Sequence, residues 1–128
     1  MTPPDALPTL PALVAERLSV SRPVALAQRR DGRTVALSSA QVHRRAAGVA
    51  HVLRAHGITP GDRVAIVAQN RLEWLLADFG ILYAGGVVVP MFATTAGDQV
   101  RYILADSEAK LVFTDDAGTA AAIRLAAP

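Results

Sequence analysis

The side chains that could perform chemistry are few and lie in short groups along the chain. His43, His51 and His56 fall on or beside one predicted helix, and imidazole nitrogens are common zinc ligands. His43 and His51 are eight residues apart, so they share a helical face only loosely. No carboxylate in that segment completes a zinc set. We therefore interpret all three as solvated or partly packed histidines.

Acidic residues stand at two further positions where chemistry could occur. Asp115 and Asp116 follow a predicted strand, and α/β proteins place functional groups at the carboxyl ends of parallel strands. Capping of the next helix explains this pair more simply, so we adopt that interpretation. Asp62 and Arg63 follow a Pro-Gly turn. We interpret them as a surface ion pair that contributes little to stability.

Three other features have sufficient structural explanations. Gly85 and Gly86 would let a ligand approach the backbone, but ending a helix before a strand accounts for both. Thr94 and Thr95 offer hydroxyl groups, of which Thr95 is expected to cap the next helix. Trp74 is expected to pack on the flank of its helix, not to form a stacking platform for a ligand. We expect no catalytic residue, no cofactor-binding residue and no metal ligand in this chain.

Helices and strands alternate around these groups. Thr9 is predicted to cap a first helix, and Asp31-Gly32 separates two apolar runs, which is a hairpin signal. Ser38 and Gln41 form a capping-box pattern, and Gly57 ends the helix that they open. The later elements are strand 64–68, a helix capped by Asn70 with Glu73, a buried strand 87–89 closed by Pro90, a helix capped by Thr95 with Asp98, strand 110–114, and an Ala-rich helix running out at Pro128.

Strands 64–68 and 87–89 are apolar without alternation, which favours burial on both faces of a parallel sheet. Strands and helices that alternate with short connections predict an α/β fold with a mainly parallel sheet. We find no repeat and no linker. The sequence predicts a single domain over residues 1–128, or one continuous piece of a larger domain.

Composition excludes several classes of function. Hydrophobic residues make up 52% of the chain and charged residues 19%, which fits a globular protein. The net charge is only +2, and the scattered arginines lack interleaved aromatics, so we expect no nucleic-acid partner. The absence of cysteine excludes disulfides and thiol catalysis and suits a reducing cytoplasm.

Two observations bear on membranes and targeting. Residues 79–97 carry no charge, but glycines, a proline and threonines interrupt them, so a helix end followed by a strand explains them better than a membrane span. The first residues have no basic segment before an apolar run, so we expect no signal peptide. A cytoplasmic protein with at most peripheral membrane association is expected.

Several segments together resemble one enzyme superfamily. They are residues 57–66 (GITPGDRVAI), 70–74 (NRLEW), 84–90 (AGGVVVP), 91–95 (MFATT) and 99–113 (QVRYILADSEAKLVF). In this order they resemble the N-terminal region of the adenylate-forming enzymes, and most of all the long-chain fatty acyl-CoA synthetases. Residues 37–41 (LSSAQ) depart from the threonine-tyrosine pair usual in that family. The resemblance implies the N-terminal portion of the family's large domain.

The resemblance also implies chemistry that lies outside these segments. Family members activate a carboxylic acid with ATP and Mg²⁺ to an acyl-adenylate and then transfer the acyl group to CoA. They use a Ser/Thr/Gly-rich phosphate loop, an acidic ribose-binding residue and a lysine of a C-terminal domain, and no position here matches any of these. The only lysine is Lys110, just before a strand. We expect no cofactor to be bound by this chain alone.

Three hypotheses follow. The first is the N-terminal fragment of an AMP-forming long-chain fatty acid–CoA ligase, inactive alone and docking to the remainder of the enzyme, which binds fatty acid, ATP and CoA. The second is a freestanding interaction module that pairs with a separately encoded remainder. The third, a small nucleotide-binding α/β protein, is weaker because no phosphate loop is visible.

Overall fold

A computed structural model describes residues 8–126, in which a parallel sheet is covered by helices on both faces. Residues 1–7, for which no signal peptide is predicted, and the predicted helix end at Pro128 lie outside these residues. The elements are α1 (Leu10–Ser19), β1 (Leu26–Arg30), β2 (Arg33–Leu37), α2 (Ser39–Ala55), β3 (Arg63–Ala68), α3 (Leu72–Tyr83), β4 (Val87–Phe92), α4 (Gly97–Ser107), β5 (Leu111–Thr114) and α5 (Ala117–Ala126).

The sheet has the strand order β4-β3-β5, and both pairings are parallel. The side chains of β3 alternate between its two faces. Val64 and Ile66 pack against α2 and α3, whereas Ala65 and Val67 pack against α4. Helices α2 and α3 therefore cover one face of the sheet, and α4 covers the opposite face. The predicted α/β fold with a mainly parallel sheet is confirmed.

The first helix and the hairpin lie beside α2 and α3. Strands β1 and β2 pair antiparallel, and their turn residues Asp31 and Gly32 have φ of 50° and 73°, the left-handed geometry of a tight hairpin. Leu37 of β2 joins an apolar cluster with Val42 of α2 and Leu72 of α3. The predicted hairpin is confirmed, and its first strand runs from Leu26 to Arg30.

Four of the predicted helix ends are confirmed. Thr9 caps α1 by accepting a hydrogen bond from the N–H of Ala12. Ser38 and Gln41 form the predicted reciprocal capping box of α2. Gly57 and Gly85 take φ of 83° and 79° just after α2 and α3, a conformation that glycine adopts without strain.

Two predicted caps are wrong. Helix α3 is preceded by Arg71 in an extended conformation with no side-chain cap, so Asn70 does not cap it. Helix α4 is preceded by Ala96, also without a side-chain cap, so Thr95 does not cap it. In both cases the helix begins one residue later than the predicted cap requires, so the amide of Asn70 and the hydroxyl of Thr95 are out of register with the free N–H groups.

Strand β4 is longer and more exposed than predicted. It runs through Pro90 to Phe92, and Val87 and Phe92 are 48% and 83% exposed. The strand lies at the border of the sheet, where proline is tolerated because no second neighbour requires its N–H. The prediction of a buried strand closed by Pro90 is therefore wrong. None of the helices in the described part of the chain has both the length and the apolarity that crossing a bilayer requires.

Candidate functional site

The carboxyl ends of β3 and β5 form the crevice where a fold of this kind places ligands. From β3 the chain passes to α3 on one face of the sheet, and from β5 it passes to α5, whose Ile123 packs on the other face. Adjacent parallel strands whose connections leave to opposite faces open a crevice at their carboxyl ends. We define the strand-end crevice as residues 69–71 after β3 and residues 114–116 at the end of β5.

Asp115 joins the two sides of the strand-end crevice. Its Oδ2 accepts a hydrogen bond from the N–H of Gln69 at 3.2 Å and lies 3.5 Å from Nε of Arg71. The side chain of Asp115 is 18% exposed and that of Arg71 is 35% exposed, so solvent only partly screens this pair. Asp115 therefore links the ends of β3 and β5 and does not cap α5, which corrects half of the prediction for the Asp115–Asp116 pair.

Asp116 performs the predicted capping of α5. Its carboxylate accepts a hydrogen bond from the N–H of Thr119, and its own N–H donates to Oγ1 of Thr114 at 3.3 Å. Hydrogen bonds from Thr119, through its side chain first and its backbone second, hold the pKa of Asp116 below its ordinary value. The carboxylate is ionised at neutral pH and stabilises the first turn of α5.

These residues do not fit the phosphates of a nucleotide. Among the described residues of the strand-end crevice, the cation is Arg71, and it already pairs with Asp115. Asp116 adds a second negative charge at the same edge. A phosphate site needs oriented N–H donors and surplus positive charge. Arg71 and Asp115 instead hold the two strand ends together, and Asp116 caps α5.

Asp62 and Arg63 do not pair with each other, so the predicted surface ion pair is wrong. Adjacent residues at the start of a strand point to opposite faces. Asp62 is only 7% exposed and lies 2.7 Å from Nζ of Lys110. Arg63 donates from Nε to the carbonyl of Ser107 at 2.7 Å and pairs with Glu108 at 3.1 Å, so it holds the end of α4.

Lys110 and Thr59 fix the ionisation of Asp62. Oδ2 of Asp62 accepts from the N–H of Thr59 at 2.8 Å and from its hydroxyl at 3.0 Å, while Oδ1 faces Lys110. The hydrogen bond from Lys110, followed by those from Thr59, lowers the pKa of Asp62 from 3.8 to about 2. The only lysine of the chain thus neutralises a buried scaffold carboxylate.

The three histidines do not come together. Nδ1 of His43 lies 3.0 Å from the hydroxyl of Tyr83, and the two rings meet edge to face. Nδ1 of His56 lies 2.9 Å from the carbonyl of Val52, and His51 is exposed on α2. In the described ranges, no group of three His, Asp or Glu side chains is close enough to hold a metal ion.

The remaining candidates also make scaffold contacts. Trp74 is partly buried and packs, as predicted, against the apolar cluster that Val64 and Ile66 form with α2 and α3. Gly85 and Gly86 stand where α3 turns into β4, and a Cβ at Gly86 would lie 2.9 Å from Cγ2 of Ile81. Thr94 and Thr95 lie in the turn after β4, where the N–H of Thr95 donates to the carbonyl of Phe92 at 3.0 Å.

Two side chains that cap the ends of α3 were not predictable from a local sequence pattern. Oε1 of Gln28 in β1 accepts a hydrogen bond from the N–H of Leu72 at 3.1 Å, so the hairpin supplies the cap of α3. Arg54 of α2 donates to the carbonyl of Tyr83 at 2.7 Å and so caps the other end of the same helix. Both contacts join residues more than 25 positions apart, so no local pattern predicts them.

Comparisons with known proteins identify the family to which this arrangement belongs. A model of the family described as "AMP-binding enzyme" matches residues 15–127. Long-chain-fatty-acid–CoA ligase FadD15 of Mycobacterium tuberculosis is 46% identical over 59 residues, which are 46% of this chain and 10% of the relative. Fatty acid–[acyl-carrier-protein] ligase ScoC of Streptomyces coeruleorubidus is 37% identical over 86 residues, which are 67% of this chain and 16% of the relative.

A solved structure shows the same fold. The N-terminal domain of FACL13 from Mycobacterium tuberculosis superimposes with a TM-score of 0.79 at 30% identity, covering 92% of this chain and 30% of that one. The chain thus spans less than a third of the length of each protein that it matches here. The family match covers most of the chain, and the superposition on FACL13 covers 92% of it. The chain therefore belongs to the AMP-binding enzyme family.

Proposed function

We propose that this chain is the N-terminal scaffold of an AMP-forming long-chain fatty acid–CoA ligase, with residues 1–128 forming one subdomain of its large domain. The complete enzyme activates a fatty acid with ATP to an acyl-adenylate, releases pyrophosphate and transfers the acyl group to CoA. The 46% identity to FadD15 supports the long-chain assignment. ATP, Mg²⁺ and CoA then serve the complete enzyme, and this chain binds none of them alone.

One observation carries the proposal that the chain alone is catalytically silent. The charged side chains that could serve catalysis already bind other parts of the scaffold. Asp115 pairs with Arg71 at the strand-end crevice, and Asp62 pairs with Lys110 at the start of β3. Adenylate formation needs donors and positive charge that are oriented at the phosphates. In this proposal no residue of the chain is catalytic, and docking to the remainder of the enzyme is its contribution. The proposal also places the protein in the cytoplasm, with at most peripheral membrane contact.

Fatty-acid-dependent ATP–pyrophosphate exchange tests this function. The purified chain is compared with a chimera in which residues 1–128 are joined to the part of FadD15 that follows its matched segment. We expect exchange only in the chimera, and only when a long-chain fatty acid is present. Exchange by the chain alone would contradict catalytic silence, and a folded chimera without exchange would contradict the assignment to this ligase.

A second candidate is a freestanding interaction module that pairs with a separately encoded remainder. The observation that favours it is strand β5, whose four residues are all only half-buried although they belong to a parallel sheet. Expression of the two parts as separate proteins distinguishes the candidates. Recovery of a stoichiometric complex with exchange activity supports the module, and activity only in the joined chimera supports the single-chain enzyme.

A further inference from the structure

A pocket of about 410 Å³ lies between α1 and α2 and reaches the end of α3. Small-molecule sites commonly have volumes of roughly 300–1,000 Å³, so the pocket is large enough for a compact ligand. Most of its lining is small and apolar and comes from α1 and α2, with Ala12, Ala15 and Ala47 among its residues. Three polar side chains complete the lining, namely those of His43, Arg54 and Tyr83.

The spacing of the α2 residues explains why they line one pocket. His43, Ala47 and Arg54 follow one another at intervals of four and seven positions, which places them on the same face of the helix. Alanine between the two polar residues leaves room beside α1 that a longer side chain would fill. The α2 sequence therefore produces a gap with an imidazole towards one end and a guanidinium towards the other.

Arg54 brings to this pocket a positive charge that no carboxylate within residues 8–126 neutralises. The cations that form ion pairs in that range are Arg30, Arg63, Arg71 and Lys110. Nη2 of Arg54 donates to the carbonyl of Tyr83 at 2.7 Å. This neutral acceptor orients the guanidinium but leaves its charge in place, and the planar group has further N–H donors. Arg54 can therefore bind an anion without giving up an ion pair.

His43 and Tyr83 add aromatic surface to the pocket. Their ring centroids are 5.5 Å apart and their planes cross at 61°, while Nδ1 of His43 lies 3.0 Å from the hydroxyl of Tyr83. Burial raises the pKa of Tyr83, so its hydroxyl is neutral at neutral pH and does not repel an anion. Among the described residues that line the pocket, none is acidic. The lining therefore suits a ligand that is both aromatic and negatively charged.

We propose that the pocket between α1 and α2 is a binding site for an aromatic carboxylate. The carboxylate pairs with Arg54, and the aromatic body lies against the alanines and along Tyr83 towards His43. A body of two fused rings suits this site, because Tyr83 contacts Arg54 through its backbone carbonyl and His43 through its hydroxyl, at opposite ends of the residue. Helix α2 contains three arginines and no acidic residue, so the local potential also favours an anion.

Titration of the full chain with 2-naphthoate, followed by NMR, tests the proposal. We expect one molecule to bind per chain, with saturable shifts of the methyl signals of Ala12, Ala15 and Ala47. The neutral analogue 2-naphthylmethanol should bind at least about tenfold more weakly, because it cannot form a charged hydrogen bond with Arg54. Octanoate keeps the charge but lacks the rings, and should bind about threefold more weakly or worse. Shifts that do not saturate, or octanoate binding as tight as that of 2-naphthoate, would overturn the proposal.

Substitution of two arginines of α2 separates a specific site from general attraction by charge. Arg54→Gln should weaken the binding of 2-naphthoate at least about tenfold. Arg54→Lys keeps the charge without the planar fork and should give an intermediate affinity. Arg45→Gln is the matched control, because Arg45 is exposed on the same helix and does not line the pocket. Equal losses in Arg54→Gln and Arg45→Gln would overturn the proposal.

Two alanines of α2 give a second matched pair. Ala47→Leu places a larger side chain in the pocket and should weaken binding at least about tenfold, because it occupies the space of the aromatic body. Ala55→Leu enlarges another exposed alanine of the helix outside the pocket and should leave the affinity unchanged. Both variants should keep the circular dichroism spectrum of the parent. This pair decides the question even if Arg54→Gln loosens the end of α3 that Arg54 caps. Equal affinities of the two leucine variants would overturn the proposal.

The binding site is independent of the proposed ligase function, in which the remainder of the enzyme binds the fatty acid. The titration uses the chain alone and contains no ATP, so its result does not depend on catalysis. Binding of 2-naphthoate by the chain, together with a folded chimera that shows no ATP–pyrophosphate exchange, would support the site while contradicting the ligase function. Exchange by the chimera without binding of 2-naphthoate by the chain would do the reverse.

Discussion

Nζ of Lys110 lies 2.7 Å from Oδ1 of Asp62, across the amino ends of β5 and β3. Asp115 with Gln69 and Arg71 joins the same two strands at their carboxyl ends. Each end of the β3–β5 pair is therefore fastened by a carboxylate with a cationic partner. The only lysine of the chain is committed to the end opposite the strand-end crevice, where a ligand of this fold class would lie.

The Asp62–Lys110 contact predicts a pH dependence of stability. The pKa of Asp62 falls from 3.8 to about 2, so its contribution to the free energy of unfolding is present above pH 3.8 and is lost as the pH falls through about 2. We expect the free energy of unfolding by urea to fall less steeply in this range for Asp62→Asn than for the parent chain. Parallel curves for the two proteins would contradict the prediction.

Two substitutions complete this experiment. Asp106→Asn removes an exposed carboxylate of α4 and should leave the acid decline as it is in the parent. Lys110→Met keeps the apolar stem but removes the charge that lowers the pKa of Asp62. The effect of Lys110→Met should therefore be smaller in the Asp62→Asn background than in the parent.

Gly80 lets α3 approach α2 closely. A Cβ at this position would overlap Cβ and Cγ1 of Val49 and would lie 3.1 Å from the carbonyl of Ala46. We expect Gly80→Ala to lower the free energy of unfolding by about 1–3 kcal/mol, because a rigid helix backbone and a branched side chain must both move. Thermal and urea denaturation measure this change.

Gly48 provides the matched control for Gly80. It also lies within a helix, but a Cβ there would meet no atom within 4 Å. Gly48→Ala should raise the free energy of unfolding by roughly 0.5–1 kcal/mol through helix propensity alone. Shortening Val49 to alanine should recover part of the loss caused by Gly80→Ala. Equal effects of the two glycine substitutions would show that close approach of the helices is not the cause.

Gln28 is the residue that caps α3, because its Oε1 accepts the N–H of Leu72 at 3.1 Å. Gln28→Ala should lower the free energy of unfolding by roughly 0.5–2 kcal/mol, the usual cost of a lost N-cap. Gln28→Glu keeps an acceptor at the positive end of the helix and should retain most of the stability. Asn70→Ala should change it by less than about 0.5 kcal/mol, since Asn70 makes no cap. Similar losses for Gln28→Ala and Asn70→Ala would contradict this assignment.

The accuracy of the sequence-based predictions follows the separation of the interacting residues. Ser38 and Gln41 cap α2 as predicted, because both partners lie within three positions and compete with nothing else. Asn70 has a similar local pattern but does not cap α3. Gln28, 44 positions away from Leu72, instead accepts the hydrogen bond from the N–H of Leu72. A cap pattern shows which hydrogen bonds a side chain can make, but the tertiary structure determines which acceptor lies nearest to the free N–H groups of the helix.

Burial was predicted less well than strand position. Strand β3 lies between two neighbours, and its residues 64–67 are buried, as their apolar run predicted. The equally apolar run that begins at Val87 belongs to a border strand and is partly exposed. Apolarity shows that a strand can be buried, but the neighbours present in the structure determine how much of it is. The Asp62–Lys110 contact was not predictable for a related reason, since 48 positions separate its partners and no local pattern links them.

Asp115 and Asp116 are expected to respond differently to the same substitution, although they are adjacent. Asp116→Ala removes the acceptor for the N–H of Thr119, so the amides in the first turn of α5 should exchange roughly fivefold faster, while β3 is unaffected. Asp115→Ala removes the acceptor for the N–H of Gln69, so exchange should quicken after β3 and not in α5. Asp116→Ser retains a capping oxygen and should restore slow exchange in α5. If both alanine variants accelerate the same amides, the strand-end crevice is one cooperative unit, and the separate roles assigned to its two carboxylates are wrong.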